Sequence, residues 1–171
     1  MLDRLNALPE DAAEAELLTC CASRRWAAEV AAGRPYDDPA ALAAASAKAL
    51  DDLDWADVRE ALDAHPRIGD RAKGEGREAR WSRGEQSGAA SAADETKRLL
   101  LEGNRAYEER FGHVFLICAT GRTAEEILAD LRVRLGHDAE TERSAVRAEL
   151  AAITGLRLAK LIEGPECRSP R

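Results

Sequence analysis

Helix start and stop signals recur at short intervals along this chain, and the apolar residues between them fall at three-and-four spacing. Asp38 followed by Pro39 pairs an N-cap with proline at the first helical position and predicts a helix to about Asp52. Asp54 opens another, whose Trp55, Val58 and Leu62 make one buried face with His65 next on the stripe. Pro66 disfavours helical geometry at His65 and ends that helix. From about Ser91, the series Leu100, Asn104, Tyr107 and Phe111 marks a long amphipathic helix closed by Gly112. Thr123-x-x-Glu126 is a capping box for a helix ending near Gly136, and Asp138 opens a last helix that reaches about Glu163. Between Gly112 and Gly121, Val114-Phe115-Leu116-Ile117 is the only strand-like run. An isolated strand has no partner, so this run is read as a buried extended connector near 113–119. The expectation is an all-α fold of about seven to nine helices, one domain over residues 1–164, with 165–171 as a disordered tail.

Composition agrees. At 171 residues the chain can bury a core. Alanine, leucine, glutamate and arginine favour helices, and aromatic residues make up only 4%, which leaves little for a sheet. The net charge of −7, with both signs mixed, argues against nucleic acid as the main partner. No apolar run approaches the roughly 20 residues that span a bilayer. The N-terminus lacks the apolar stretch and cleavage site of a secretory signal, so a cytoplasmic protein is expected. Cys20, Cys21, Cys118 and Cys167 form no CxxC pair and are read as free thiols, and no His/Cys pairing has zinc-ligand spacing.

Three places carry candidate chemistry. His65 sits at a helix C-terminus on the apolar side. The helix dipole there favours imidazolium and partial burial opposes it, which keeps the ring near neutrality and suits a general acid or base. The structural alternative is a histidine that caps helix carbonyls. Ser82-x-x-Glu85-Gln86 is a capping-box pattern, and the free N–H groups of a helix start would hold an anionic or carbonyl group beside Glu85 and Gln86. The surrounding residues 69–88, almost without apolar side chains, are read as a loop. Arg157 interrupts the stripe Val146, Leu150, Ile153, Leu161, and a charge on a buried face needs a partner or an anion. That partner is a side chain such as Glu85 or Asp70, or a substrate carboxylate. Arg122 is read as an exposed loop arginine, His113 and His137 as surface or cap residues, and Trp26, Trp55 and Trp81 as packing residues.

Taken in order, His65-Pro66-Arg67-Ile68-Gly69, Ser82 to Gln86, Asn104 to Ala119 and Leu156-Arg157-Leu158 resemble the 2-oxo-4-hydroxy-4-carboxy-5-ureidoimidazoline (OHCU) decarboxylases. The resemblance runs from about Leu5 to Ile162 and includes Arg34-Pro35-Tyr36. It departs at Arg83-Gly84, in the highly charged stretch 71–80, and at Gly155 just before Leu156-Arg157. The resemblance implies an all-helical, cofactor-independent and commonly homodimeric enzyme of the last step from urate to allantoin. It implies His65 as proton donor with Pro66 fixing its approach. It further implies Ser82, Glu85 and Gln86 on the ring and ureido groups, and Arg157 at the substrate's charged end. The backbone of Phe115, Leu116, Ile117, Cys118 and Ala119 would meet a flat substrate. Two other readings are a hydrolase of a cyclic ureide, with His65 and Glu85 activating water, and a non-catalytic helical binding module.

Overall fold

The structure is a computed structural model and describes residues 2–68, 77–87 and 93–163. Nine helices are described: α1 Leu2–Ala7, α2 Glu10–Leu18, α3 Arg24–Ala32, α4 Pro39–Asp51, α5 Trp55–Asp63, α6 Arg77–Glu85, α7 Asp94–Phe111, α8 Ala124–Arg134 and α9 Ala139–Glu163. No strand occurs among the described residues. The all-α expectation holds, and local capping chemistry explains several of the boundaries. Asp38 Oδ1 accepts the Ala41 N–H at 2.7 Å, with Pro39 starting α4. Thr123 and Glu126 form the reciprocal capping box of α8. Asp138 Oδ1 accepts the Thr141 N–H at 2.7 Å at the head of α9. Gly112, at φ 72°, ends α7 in the left-handed region that a side chain disfavours.

One stretch departs from the sequence reading. Residues 77–85, expected in a loop, form α6. Arginine, glutamate and alanine favour helix, and the buried face consists of Ala79 and Ser82, with no large aliphatic residue to reveal a period. Residues 69–76 and 88 of the expected loop, Ser91, and the expected tail 165–171 lie outside the described residues.

The chain divides into two compact units, Met1–Asp57 with Ala151–Arg171, and Val58–Leu150. The core of the first contains Leu17, Trp26, Val30 and Leu42 from α2–α4, with Ile153, Leu158 and Leu161 from the second half of α9. The Trp26 indole donates to the Ser46 carbonyl at 3.2 Å, joining α3 to α4. Arg34-Pro35-Tyr36, which includes a cis Arg34–Pro35 bond, ties this unit's N-terminal turns together. Arg34 donates to the Leu5 and Leu8 carbonyls, and the Tyr36 hydroxyl donates to the Val30 carbonyl. That motif therefore serves the frame.

In the second unit, α7 and α8 pack with the connector around a core of Leu100, Tyr107, Phe115, Ile117, Ile127 and Leu131, joined by Ile68. Residues 114–119 are neither helical nor paired in a sheet, and Phe115, Leu116, Ile117 and Ala119 are buried. Burying one large apolar side chain contributes about 1.5–3 kcal/mol. Three such side chains in succession hold this connector where no sheet partner does.

Candidate functional site

His65 follows the end of α5. Its N–H donates to the Leu62 carbonyl at 2.9 Å and its Nδ1 lies 2.8 Å from the Ala61 carbonyl oxygen. The histidine therefore caps the helix, as the structural alternative held. The same bond settles the tautomer. A carbonyl oxygen only accepts, so Nδ1 carries hydrogen, and Nε2 is shielded from solvent.

The segment after His65 is held by two side chains one turn apart on α7. Asn104 Nδ2 donates to the Ile68 carbonyl at 3.0 Å. The Arg67 guanidinium meets the Glu108 carboxylate with two bonds, of 2.5 and 2.7 Å, and holds that carboxyl below its ordinary range. Through α7 the His65 turn is anchored to the same core that buries the connector.

Ser82, Glu85 and Gln86 lie in and just after the last turns of α6. Ser82 is inside the helix, its carbonyl accepting the Gln86 N–H at 3.1 Å. The capping-box reading is therefore corrected: Ser82 lies inside α6, near its last residue Glu85, and not at a helix start. Glu85 is close enough to Cys118 to act on its thiol, which is pushed up first by burial and then by the Glu149 and Glu85 carboxylates.

The connector's backbone is partly engaged within the protein. The Leu116 carbonyl accepts Arg134 Nη1 at 2.7 Å, the Cys118 N–H donates to Glu149 Oε2 at 2.7 Å, and the Ala119 carbonyl accepts the Arg122 N–H at 3.1 Å. Of the run Phe115 to Ala119, the N–H and C=O of Phe115 and Ile117 make no hydrogen bond among the described residues.

Arg157 is only 6% exposed, so the stripe argument located a buried arginine. His65, Pro66, Ser82, Glu85, Gln86 and the connector all belong to the unit Val58–Leu150, whereas Arg157 belongs to the other.

His113 departs from the surface reading, and Arg122 stands in the loop before α8, partly exposed, as read. It pairs with Asp130 and approaches Glu149 at 4.0 Å. His113 is buried, edge-on to Tyr107 at 5.4 Å, and burial holds its pKa below the ordinary histidine value.

A buried polar cluster escaped the sequence reading. Glu142 Oε1 accepts Arg134 Nε and Nη2 at 2.9 and 2.5 Å and also the Tyr107 hydroxyl, while Glu142 Oε2 meets His137 Nδ1 at 2.9 Å. Burial, and then the carboxylate, push the Tyr107 phenol well above its ordinary pKa. The signal was present. Glu142 lies four before Val146 on the stripe that exposed Arg157, and Arg134 continues Ile127 and Leu131 on α8.

Among the described residues, no group of three His, Cys, Asp or Glu side chains is arranged to hold a metal ion, and no helix is long and apolar enough to cross a membrane.

The described residues form an all-helical fold whose unit Val58–Leu150 carries the helix-end imidazole of His65, the Glu85 carboxylate, the Gln86 amide and the connector. The OHCU decarboxylase family model matches residues 6–159, and the chain belongs to that family. It is 36% identical over 143 residues to the 2-oxo-4-hydroxy-4-carboxy-5-ureidoimidazoline decarboxylase of Amia calva, covering 81% of each chain. It is 34% identical over 151 residues to the uric acid degradation bifunctional protein TTL of Arabidopsis thaliana, covering 86% of this chain and 47% of that one. The chain thus spans about half the length of the plant protein. A crystal structure of OHCU decarboxylase in the presence of (S)-allantoin superposes with a TM-score of 0.77 at 27% identity, covering 87% of this chain and 98% of that one.

Proposed function

We propose that this protein decarboxylates 2-oxo-4-hydroxy-4-carboxy-5-ureidoimidazoline to (S)-allantoin. The observation that carries the reading is His65, whose Nδ1 bond to the Ala61 carbonyl leaves Nε2 to handle the proton, in a chain matched to the family over residues 6–159. The Amia calva relative bears the name of this decarboxylase, and the similar crystal structure was obtained in the presence of the product.

The chemistry is simple to balance. The bond between the ring carbon and its carboxylate breaks, carbon dioxide leaves, and the bonding pair stays on the ring. A neighbouring imine-like nitrogen and carbonyl spread that charge, so the reaction proceeds without a cofactor. The protein orients the ring, supports the developing anion and delivers one proton to one face. His65 as imidazolium donates from Nε2 and is reprotonated by solvent, and Pro66 sets its approach. Glu85 orients the substrate with Ser82 and Gln86 on the ring and ureido groups. Arg157 meets the carboxylate. The connector from Phe115 to Ala119 lies against the flat face. A cytoplasmic homodimer completes the reading, on the resemblance and the composition.

The test follows chirality, because the substrate also loses carbon dioxide slowly unaided. With fresh substrate, circular dichroism of the product should show (S)-allantoin for the wild type. His65→Asn should lose the enantiomeric excess with the fold intact. If His65→Asn makes (S)-allantoin at the wild-type rate, His65 is not the donor. A hydrolytic reaction would instead incorporate water and release no carbon dioxide.

A further inference from the structure

The connector is gripped at two residues of the same parity. Arg134 takes the Leu116 carbonyl and Glu149 takes the Cys118 N–H, both at 2.7 Å. In an extended chain, the N–H and C=O of one residue point the same way and those of the next point the opposite way. Ile117 lies between the two gripped residues. Ile117 is only 3% exposed, and neither group has a partner among the described residues. Buried backbone groups are rarely left unmatched, so this pair of donor and acceptor points to a guest that offers both in return. A cyclic ureide does so through adjacent N–H and C=O.

We propose that Glu149, backed by Arg122, is a positioning residue that turns the Ile117 donor–acceptor edge toward the substrate. The proposal deepens the functional reading above and rests on it. Arg122 suits the part. Its guanidinium sits between Asp130 and Glu149, which offsets a carboxylate that would otherwise repel an anionic substrate. Glu149 takes no proton in the reaction and does not touch the reacting carbon. Its influence passes through the Cys118 amide.

Three variants test this with turnover, product chirality and melting measured together. Glu149→Gln keeps an acceptor and should stay within threefold of wild type. Glu149→Ala should lose about 10- to 100-fold in kcat/KM, the cost of an ångström-scale misplacement, chiefly through KM and with lower enantiomeric excess. Glu149→Asp keeps the charge but withdraws it by one methylene, and should lose activity like the alanine variant. It carries the test if Glu149→Ala does not fold. The Cys118 amide should exchange with solvent at least tenfold faster in whichever of these two variants folds. The inference is overturned if that variant melts like wild type and keeps kcat/KM within threefold. A wild type that yields no (S)-allantoin overturns both readings. A wild type that yields it, matched by that variant, overturns this one alone.

Discussion

Arg134 and Glu142 show what single residues do here. Each is charged, each is buried, and together with Tyr107 and His137 they satisfy one another. A buried ion pair need not stabilise a fold relative to an apolar replacement, but removing one partner strands the other in a poorly solvating interior at about 3–5 kcal/mol. Arg134→Met should cost that much by urea denaturation, since it leaves Glu142 without its guanidinium. Arg134→Met with Glu142→Leu should cost less than the sum of the two single changes. A single-variant loss below about 1 kcal/mol would show that the pair is not the lock described here. Arg157 was legible because a charge at the centre of an apolar stripe is conspicuous, and Glu142 and Arg134 obey the same rule. Their partners were not legible, because nothing in a stripe specifies which side chain faces it across the core.

Among the elements, the helices announced themselves by their ends. Thr123 and Glu126 satisfy two N–H groups at the head of α8, and Asp38 satisfies one at the head of α4. Thr123→Ala should destabilise the fold by about 0.5–2 kcal/mol, measured by chemical denaturation, whereas Thr123→Ser should recover most of the loss. An alanine variant as stable as wild type would mean that α8 is held by packing alone. α6 is the instructive exception. Its buried face consists of small residues, so periodicity gave no warning, and Ser82-x-x-Glu85 resembled a start signal although it falls within the helix. A four-residue pattern records who the neighbours are, not where the chain enters the helix. The connector is the reverse case. Its apolar run between two glycines was plain, and its burial follows from hydrophobicity alone.

For the molecule as a whole, the functional reading predicts a stability response. A ligand that binds only the native state adds about 2.7 kcal/mol at a hundredfold excess over its Kd. At about 2–4 °C per kcal/mol for a chain of this size, saturating (S)-allantoin should raise the melting temperature by about 5–10 °C. The (R) enantiomer should do so less. A melting curve unmoved by (S)-allantoin would favour the binding-module reading over the enzyme.

The sequence by itself determined the helical class, the approximate ends of α4, α5, α7, α8 and α9, the buried connector and the buried arginine of α9. These depend on interactions within about one helical turn, or on the hydrophobic period of one element, and both are written locally. Only the tertiary structure decided which connector groups are taken and which are left open. Those bonds join residues far apart in the chain, with 18 positions between Leu116 and Arg134 and 31 between Cys118 and Glu149. Backbone N–H and C=O groups are the same at every non-proline residue, so their pairing carries no signature in the side chains and is settled only when distant elements pack.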